Sequence, residues 1–202
     1  MFRQLKNILS NMEIIIKIAD KKDAAELLEI YRPYVEKTAV TFEYDVPSVE
    51  EFSRRIKNIK QKYPYIKAVS DGKIVGYAYA SVFKDRSAYD WSVETSVYVK
   101  EDCKKCGIGS LLYKKLEEIL SLQGFLNVNA CIAYTEKQDE NLTNDSVYFH
   151  KKLGYSLVGE FHKCGYKFGK WYEMVWMEKF IGKHSDKPEK IIPFKEIENN
   201  FR

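Results

Sequence analysis

Apolar and polar positions alternate through residues 91–99, WSVETSVYV. Trp91, Val93, Thr95, Val97 and Val99 fall on one face, and Ser92, Glu94, Ser96 and Tyr98 on the other. A period of two predicts a strand. The period then changes. In residues 110–124, SLLYKKLEEILSLQG, the apolar stripe Leu111, Leu112, Leu116, Ile119 and Leu120 has helical spacing, and Gly124 is placed to stop the helix.

The same reading yields the other elements. EIIIKI (13–18) is a first strand, followed by a helix with Asp20 as N-cap and Ala24, Leu27, Leu28 and Tyr31 on its inner face. A second helix opens at Ser48, where Glu51 three places on completes a capping box. Strands at 65–70 and 74–83 are joined by Asp71-Gly72, a hairpin signal. A strand at 126–134, a polar connection at 135–144 and a short helix from 145 to Gly154 follow. SLVGEF (156–161) and KWYEMVWMEKF (170–180) read as two closing strands around HKCGYKFG (162–169). The order predicts an α/β fold, a mixed, mostly antiparallel sheet with helices on both faces. Residues 12–180 form one domain in this reading. Residues 1–11 are an N-terminal extension, and 181–202 a charged, proline-containing tail draped over the surface or partly disordered.

Composition narrows the partners. The 202 residues are 45% hydrophobic and 31% charged, as in soluble globular proteins. The net charge of +4 is spread along the chain without a basic stripe, which argues against nucleic acid. No run approaches the roughly 20 apolar residues of a membrane span, and the first residues lack the hydrophobic core of a secretory signal. Four cysteines without a disulfide framework suit a reducing, cytoplasmic compartment. The 15 tyrosines are expected to line a cleft or to pack the sheet.

Between the alternating strand and the helix lies CKKCGIGS (103–110). Its first half is a CxxC, the spacing of a redox pair or half a zinc site. Zinc needs four ligands, and no second CxxC exists, so no metal is expected. Its second half is a glycine turn opening a helix, either a plain tight turn or an anion cradle. Such a cradle uses the unpaired N–H groups of the first helical turn, with Gly107 and Gly109 allowing close approach and Lys104 and Lys105 adding charge. The pattern matches neither a Walker loop nor a dinucleotide fingerprint.

SVYVKEDCKKCGIGSLLYKKL resembles motif A of the GNAT superfamily of acyl-CoA-dependent N-acetyltransferases, whose loop reads Q/R-x-x-G-x-G/A. Lys104 stands at the Gln/Arg position, Cys106 where a basic residue is common, and Gly107 and Gly109 on the glycines. GYAYASVFKDRSAYDWSVETSVYV, SVYFHKKLGYSLVGEF and CGYKFGKWYEMVWMEK are similar to the phosphinothricin/methionine-sulfone N-acetyltransferase branch. The resemblance spans about residues 13–180. It implies a GNAT fold and a cytoplasmic, homodimeric enzyme that takes acetyl-CoA and acetylates the α-amino group of a small amino-acid-like substrate.

The resemblance also assigns roles. Glu94 corresponds to the branch's glutamate and is the candidate base; as a residue of an alternating strand it also reads as a solvated sheet carboxylate. Val97, Tyr98 and Val99 correspond to the strand end that binds the pantetheine arm, one N–H facing the thioester oxygen. Lys104, Lys105, Cys106, Gly107, Ile108, Gly109 and Ser110 correspond to the pyrophosphate loop. His150 stands where many members carry the tyrosine that protonates the leaving thiolate. It is an acid or relay candidate, with Tyr148 as alternative, and reads equally as a packed helix histidine. Asn144 and Ser146 are candidate cofactor contacts; the superfamily's asparagine position falls on Thr143. Thr41, Phe42, Glu43, Arg86, Ser87 and Tyr89 are expected on the substrate side, with Arg86 able to clamp a carboxylate.

Two rivals use the same fold. A peptide N-terminal or lysine acetyltransferase requires an open groove, whereas FKDRSAY suits a small anionic substrate. A non-catalytic acyl-CoA-binding domain would keep the loop and lose Glu94.

Overall fold

The structure, a computed structural model, describes residues 13–201. The expected extension at 1–11 lies outside them. Seven strands form one sheet: β1 (Ile15–Ile18), β2 (Tyr65–Ser70), β3 (Lys73–Val82), β4 (Ser92–Val99), β5 (Asn127–Tyr134), β6 (Ser156–Lys167) and β7 (Lys170–Phe180). Five helices cover it: α1 (Ala24–Lys37), α2 (Val49–Ile59), α3 (Ile108–Gln123), α4 (Asp145–Lys152) and α5 (Phe194–Ile197). The strand order is β1-β2-β3-β4-β5-β7-β6, antiparallel everywhere except between β4 and β5.

The alternation in β4 sorts its side chains between two cores. Val93, Thr95, Val97 and Val99 face α3, whose Ile108, Leu112, Leu116, Ile119 and Leu120 are buried with Val128, Ala130 and Ile132 of β5. Tyr98 faces the opposite core, where Leu27, Leu28, Tyr31 and Tyr34 of α1 and Phe52 and Ile56 of α2 pack on Tyr65 and Tyr77. Six of the tyrosines pack the α1–α2 face: Tyr65 stacks on Tyr79 at 4.8 Å, and Tyr31 meets Tyr98 edge-on at 4.9 Å, with Tyr34 and Tyr77 beside them.

The parallel pair is short. Only Ser92, Val93 and Glu94 are in register with Asn127, Val128 and Asn129, after which the strands part. Side chains occupy the last rung: Asn129 Nδ2 donates to Val93 O (3.1 Å) and Thr95 Oγ1 to Asn129 O (3.1 Å). Beyond it, Thr95–Tyr98 and Ala130–Ala133 face each other across a gap, which Leu142, Thr143, Ser146 and His150 close from one side.

Three local expectations change. Asp20 caps a short 3-10 turn, Lys21–Asp23, ahead of α1, and its N–H donates to Asp23 Oδ2 at 2.7 Å. Ser48 caps α2 by accepting Glu51 N–H at 3.1 Å, but the Glu51 carboxylate turns to Arg54 and Arg55 instead of completing the box. Residues 162–169 are no loose connection. The strand continues through an irregularity between Phe161 and Gly165, where Lys163 is left-handed (φ 48°), to a tight turn at Phe168 and Gly169 (φ 50° and 73°). Two successive positive φ values suit a two-residue hairpin.

The C-terminal segment packs against the domain. Phe194 is fully buried, and Gln123 Nε2 donates to Lys62 O (2.9 Å) and Ile192 O (2.7 Å). Trp91 Nε1 holds Glu189 O at 2.7 Å. The expected surface tail thus contributes Phe194 to the core, with Ile181, Ile191, Ile197 and Phe201 packed against it.

Candidate active site

The gap between β4 and β5 organises the site. Along β4 the peptide groups alternate in direction. Lys100 N–H reaches Val75 O (3.0 Å), and the Trp91 carbonyl accepts from Leu126 N–H (2.9 Å) on the other side. Even residues therefore bond β3 and odd residues face β5 or the gap. Val99 is already engaged, because the Tyr34 hydroxyl donates to its carbonyl (2.6 Å) and accepts its N–H (3.3 Å). Of the sequence candidates Val97, Tyr98 and Val99, Val97 is the one whose N–H and C=O point into the gap with no such engagement. Tyr98 gives its backbone to β3 and its ring to the α1 core.

At the end of β4 a 3-10 turn, Glu101–Cys103, leads into the glycine loop. Gly107 has φ +84°, and a Cβ there would stand in open space. It is left-handed, which excludes most side chains, and its open side is a cradle. Leu111 N–H closes back on Gly107 O (3.1 Å), so the N–H groups of Ile108, Gly109 and Ser110 have no intrahelical acceptor. The Ile108 side chain is buried, leaving its backbone for a ligand. Gly109 has a different reason to be glycine: a Cβ would lie 3.1 Å from the Phe149 ring, so it serves the packing of α3 on α4. Lys104 Nζ lies 4.5 Å from the Tyr34 ring centre, and Lys105 Nζ lies 3.4 Å from Asp145.

The cysteines of this loop have no reactive setting. Cys103 is buried, its Sγ donates to Asp102 Oδ1 (3.3 Å), and burial pushes its thiol up to about 11. The Cys106 thiol is turned to Lys104 O (3.4 Å). Among the described residues, no group of three or more His, Cys, Asp or Glu is placed to hold a metal ion.

Glu94 is the last β4 residue in register with β5. It is half-buried, and loss of hydration raises its carboxyl above the usual range, with the Lys84 ammonium pulling the other way. A raised carboxyl beside a cleft suits proton removal near neutrality. On its face lie Ser96 and Tyr79, paired across β3–β4. Lys84 was not singled out in the sequence. Its Nζ stands 5.4 Å from the Trp176 ring centre and 5.3 Å from that of Phe83. The signal was present in FKDRSAY, where Arg86 drew attention instead. Arg86 and Ser87 are exposed on the loop after β3, while Tyr89 packs edge-on against Phe83 at 5.9 Å.

His150 lines the gap and is 3% exposed. Its Nδ1 lies 2.7 Å from Ser146 O and its Nε2 2.8 Å from the Tyr113 hydroxyl. A carbonyl only accepts, so Nδ1 carries the proton and Nε2 receives the tyrosine O–H. Burial lowers its pKa to about 4, with the Ser146 bond opposing, so the ring is neutral at pH 7. A neutral imidazole with both nitrogens engaged is a relay or an anchor and holds no imidazolium to donate. Tyr148, the alternative, is 62% exposed and absent from the gap lining. Tyr113 was missed because Leu112 and Leu116 beside it make it read as core.

Asn144 spends its carboxamide on the connection 135–144, donating to Thr135 O (2.9 Å) and accepting Thr135 N–H (3.4 Å). Thr143 and Ser146, its neighbours, line the gap. On the substrate side, Val40 also lines it, the Thr41 hydroxyl shares a hydrogen bond with Tyr31 (2.8 Å), and Glu43 pairs with Arg55 (2.6 Å). Phe42 turns away onto Tyr172.

A family model described as acetyltransferase (GNAT) domain matches residues 16–176. A phosphinothricin N-acetyltransferase of Streptomyces viridochromogenes is 35% identical over 167 residues, 82% of this chain and 87% of that protein. An L-methionine sulfoximine/L-methionine sulfone acetyltransferase of Pseudomonas paraeruginosa is 29% identical, over 83% of this chain and 94% of its own. Among solved structures, a GNAT superfamily phosphinothricin acetyltransferase from Sinorhizobium meliloti in complex with acetyl-CoA superposes with a TM-score of 0.81 at 31% identity, covering 90% of this chain and 96% of that one.

Proposed function

The chain belongs to the GNAT acetyltransferase family, and on that premise we propose that it acetylates the α-amino group of a small amino-acid analogue, of the phosphinothricin or methionine sulfone/sulfoximine kind, by direct transfer from acetyl-CoA. The observation that carries this reading is the parting of β4 from β5 immediately after a half-buried Glu94. It sets a carboxylate and the inward Val97 N–H beside one gap. The glycine turn at the end of β4 fits the coenzyme's pyrophosphate, since the open side of Gly107 admits phosphate oxygens to the N–H groups of α3.

When bound, acetyl-CoA supplies the acetyl thioester. Glu94 takes a proton from the substrate ammonium, which frees the nitrogen lone pair for attack. The Val97 N–H, directed into the gap, would stabilise the charge that develops on the thioester oxygen. Tyr113 holds its proton, burial having raised its pKa. Tyr113 lines the gap, held to the neutral His150 ring by a 2.8 Å hydrogen bond, and is the hydroxyl that would protonate the departing sulfur, with His150 fixing its position. Lys84, near Glu94 and over Trp176, and Arg86 on the adjoining loop supply positive charge for a carboxylate or phosphinate. No cysteine serves as a nucleophile.

The homodimeric reading is supported by the apolar surface of the last hairpin, where Leu157, Val158, Phe161, Trp171 and Phe180 are each more than half exposed. Light scattering should give twice the chain mass. The cytoplasmic reading rests on unpaired cysteines; among the described residues no helix is long and apolar enough to cross a membrane.

The experiment is a panel of amines with acetyl-CoA, read as free thiol. Phosphinothricin, methionine sulfone and methionine sulfoximine are expected to release CoA above background. Release with lysine-containing peptides alone would assign the chain to peptide acetylation. Coenzyme binding without release for any amine would make it a binding domain.

A further inference from the structure

Lys167, at the end of β6, has no part in the chemistry above. It is 3% exposed, and its ammonium donates to three main-chain carbonyls: Val35 O at 2.8 Å, Thr38 O at 2.9 Å and Thr41 O at 2.8 Å. Val35 lies in the last turn of α1, Thr38 just beyond it, and Thr41 in the loop that leads to α2. An ammonium has three N–H donors, and all three are used. Charged lysines are seldom buried, because losing hydration is costly unless other groups replace the water. Here main-chain carbonyls of the α1–α2 loop replace it, and burial lowers the lysine pKa.

Three further contacts join the same two segments. The Phe42 ring fills the space a side chain at Gly165 would take, since a Cβ there would fall inside the ring. That ring also packs on Tyr172 of β7, with centres 6.5 Å apart. Tyr44 O–H donates to Tyr166 O. From the far side, Ala39 N–H reaches Asn141 O (2.9 Å). The segment 38–44 is therefore held between the β6–β7 hairpin and the 135–144 connection. It brings Val40 to the gap and the Thr41 hydroxyl to Tyr31.

We propose that Lys167 is a positioning residue for the acceptor amine: its ammonium, anchored on three carbonyls, sets the segment 38–43, and with it the Val40 side of the gap, the wall that meets the acceptor. This rests on the acetyltransferase reading, in which that wall faces the amine while the coenzyme is held by β4 and the loop at 107–110.

The test compares wild type with Lys167→Met and Gly165→Ala, the second of which displaces the same wall through Phe42. Acetyl-CoA titration first establishes that each variant is folded. For Lys167→Met the acceptor KM should rise at least tenfold, with the acetyl-CoA KM within twofold of wild type. Amide hydrogen exchange should quicken at least tenfold in residues 38–44 and stay unchanged in 108–114. A lysine that merely stabilised the fold would lower the active fraction, reducing kcat and leaving both KM values in place. That pattern, or unchanged exchange in 38–44, overturns the proposal. Should Lys167→Met fail to bind coenzyme, Gly165→Ala decides by the same two readings. A wild type that acetylates no amine counts against the acetyltransferase reading alone, and exchange still decides whether Lys167 holds the wall.

Discussion

The loop at 103–110 continues the strand that borders the gap, and the wall segment 38–43 brings Val40 to its lining, yet the two are specified in opposite ways. The loop is made by consecutive residues: a strand runs out, a left-handed glycine turns the chain, and a helix begins. Its working groups are main-chain N–H groups, which any sequence of that local shape supplies. The wall is held by a side chain 126 residues away from Thr41. Its shape is a property of the assembled fold. In the proposed reading, the side assigned to the coenzyme is thus local and general, and the side assigned to the acceptor is remote and particular.

Experiments that strain this contrast are ordered by the size of effect. Gly107→Val forces a branched side chain into φ +84° and fills the cradle, so acetyl-CoA binding should fall more than 100-fold by calorimetry, roughly the scale of removing several charge-assisted hydrogen bonds. Binding within tenfold of wild type would mean that the local loop is not the grip. Glu94→Gln should lower kcat/KM about 100-fold or more, the range of a lost general base. Because its carboxyl is raised, wild-type activity should decline as pH falls through a value above the ordinary carboxylate range. The Gln variant should lack that limb and recover at high pH, where the amine is already neutral. A parallel profile removes Glu94 as the base.

His150 gives a smaller effect, read as stability. Its folded pKa is depressed to about 4 from an unfolded 6.5, so the folded state binds fewer protons between those values. The contribution is fully present above pH 6.5 and is lost as pH falls towards 4, a change of about 3 kcal/mol. Urea midpoints for wild type should drop over that window, and those of His150→Phe should change less. Identical slopes would show that His150 does not titrate as a buried neutral ring. The least effect is expected from the pair Cys103→Ser and Cys106→Ser: turnover within about twofold of wild type, since the Cys103 thiol is buried and pushed up to about 11 and the Cys106 thiol is turned to the Lys104 carbonyl. A larger loss would reopen a role for the cysteines.

Much of the fold was legible because its signals are periodic. The alternation in β4, the Leu111–Leu120 stripe and the Asp71-Gly72 turn each encode their own local outcome. The site was legible in its local half. His150, Ser146 and Thr143 line the gap, Glu94 stands where β4 parts from β5, and Gly107 turns the chain beyond the end of β4. What escaped was set by distant neighbours. HKCGYKFG looked like a connection because its hairpin turns on Phe168-Gly169 rather than on Asn-Gly or Asp-Gly. Lys167 has no role legible in the sequence, because nothing near it names the three carbonyls it meets. Tyr113 is hidden by leucines, and Asn144 carries the right chemistry one position from where it would face the gap. The branch resemblance supplied roles for residues that periodicity alone leaves as sheet or helix positions.

The rung formed by Thr95, Asn129 and Val93 has a mechanical consequence. Two parallel strands of matched sequence tend to zip along their whole length, and here side chains act as the stop. Asn129 takes the Val93 carbonyl and Thr95 takes the Asn129 carbonyl, so the ladder ends in two bonds that do not belong to the backbone series. The seam is therefore cut to a fixed length, and its opening is a built dimension of the sheet. Anything that enters it is measured from that stop. The stop lies beside Glu94, the last residue of β4 in register with β5, so the carboxylate marks the closed end of the seam.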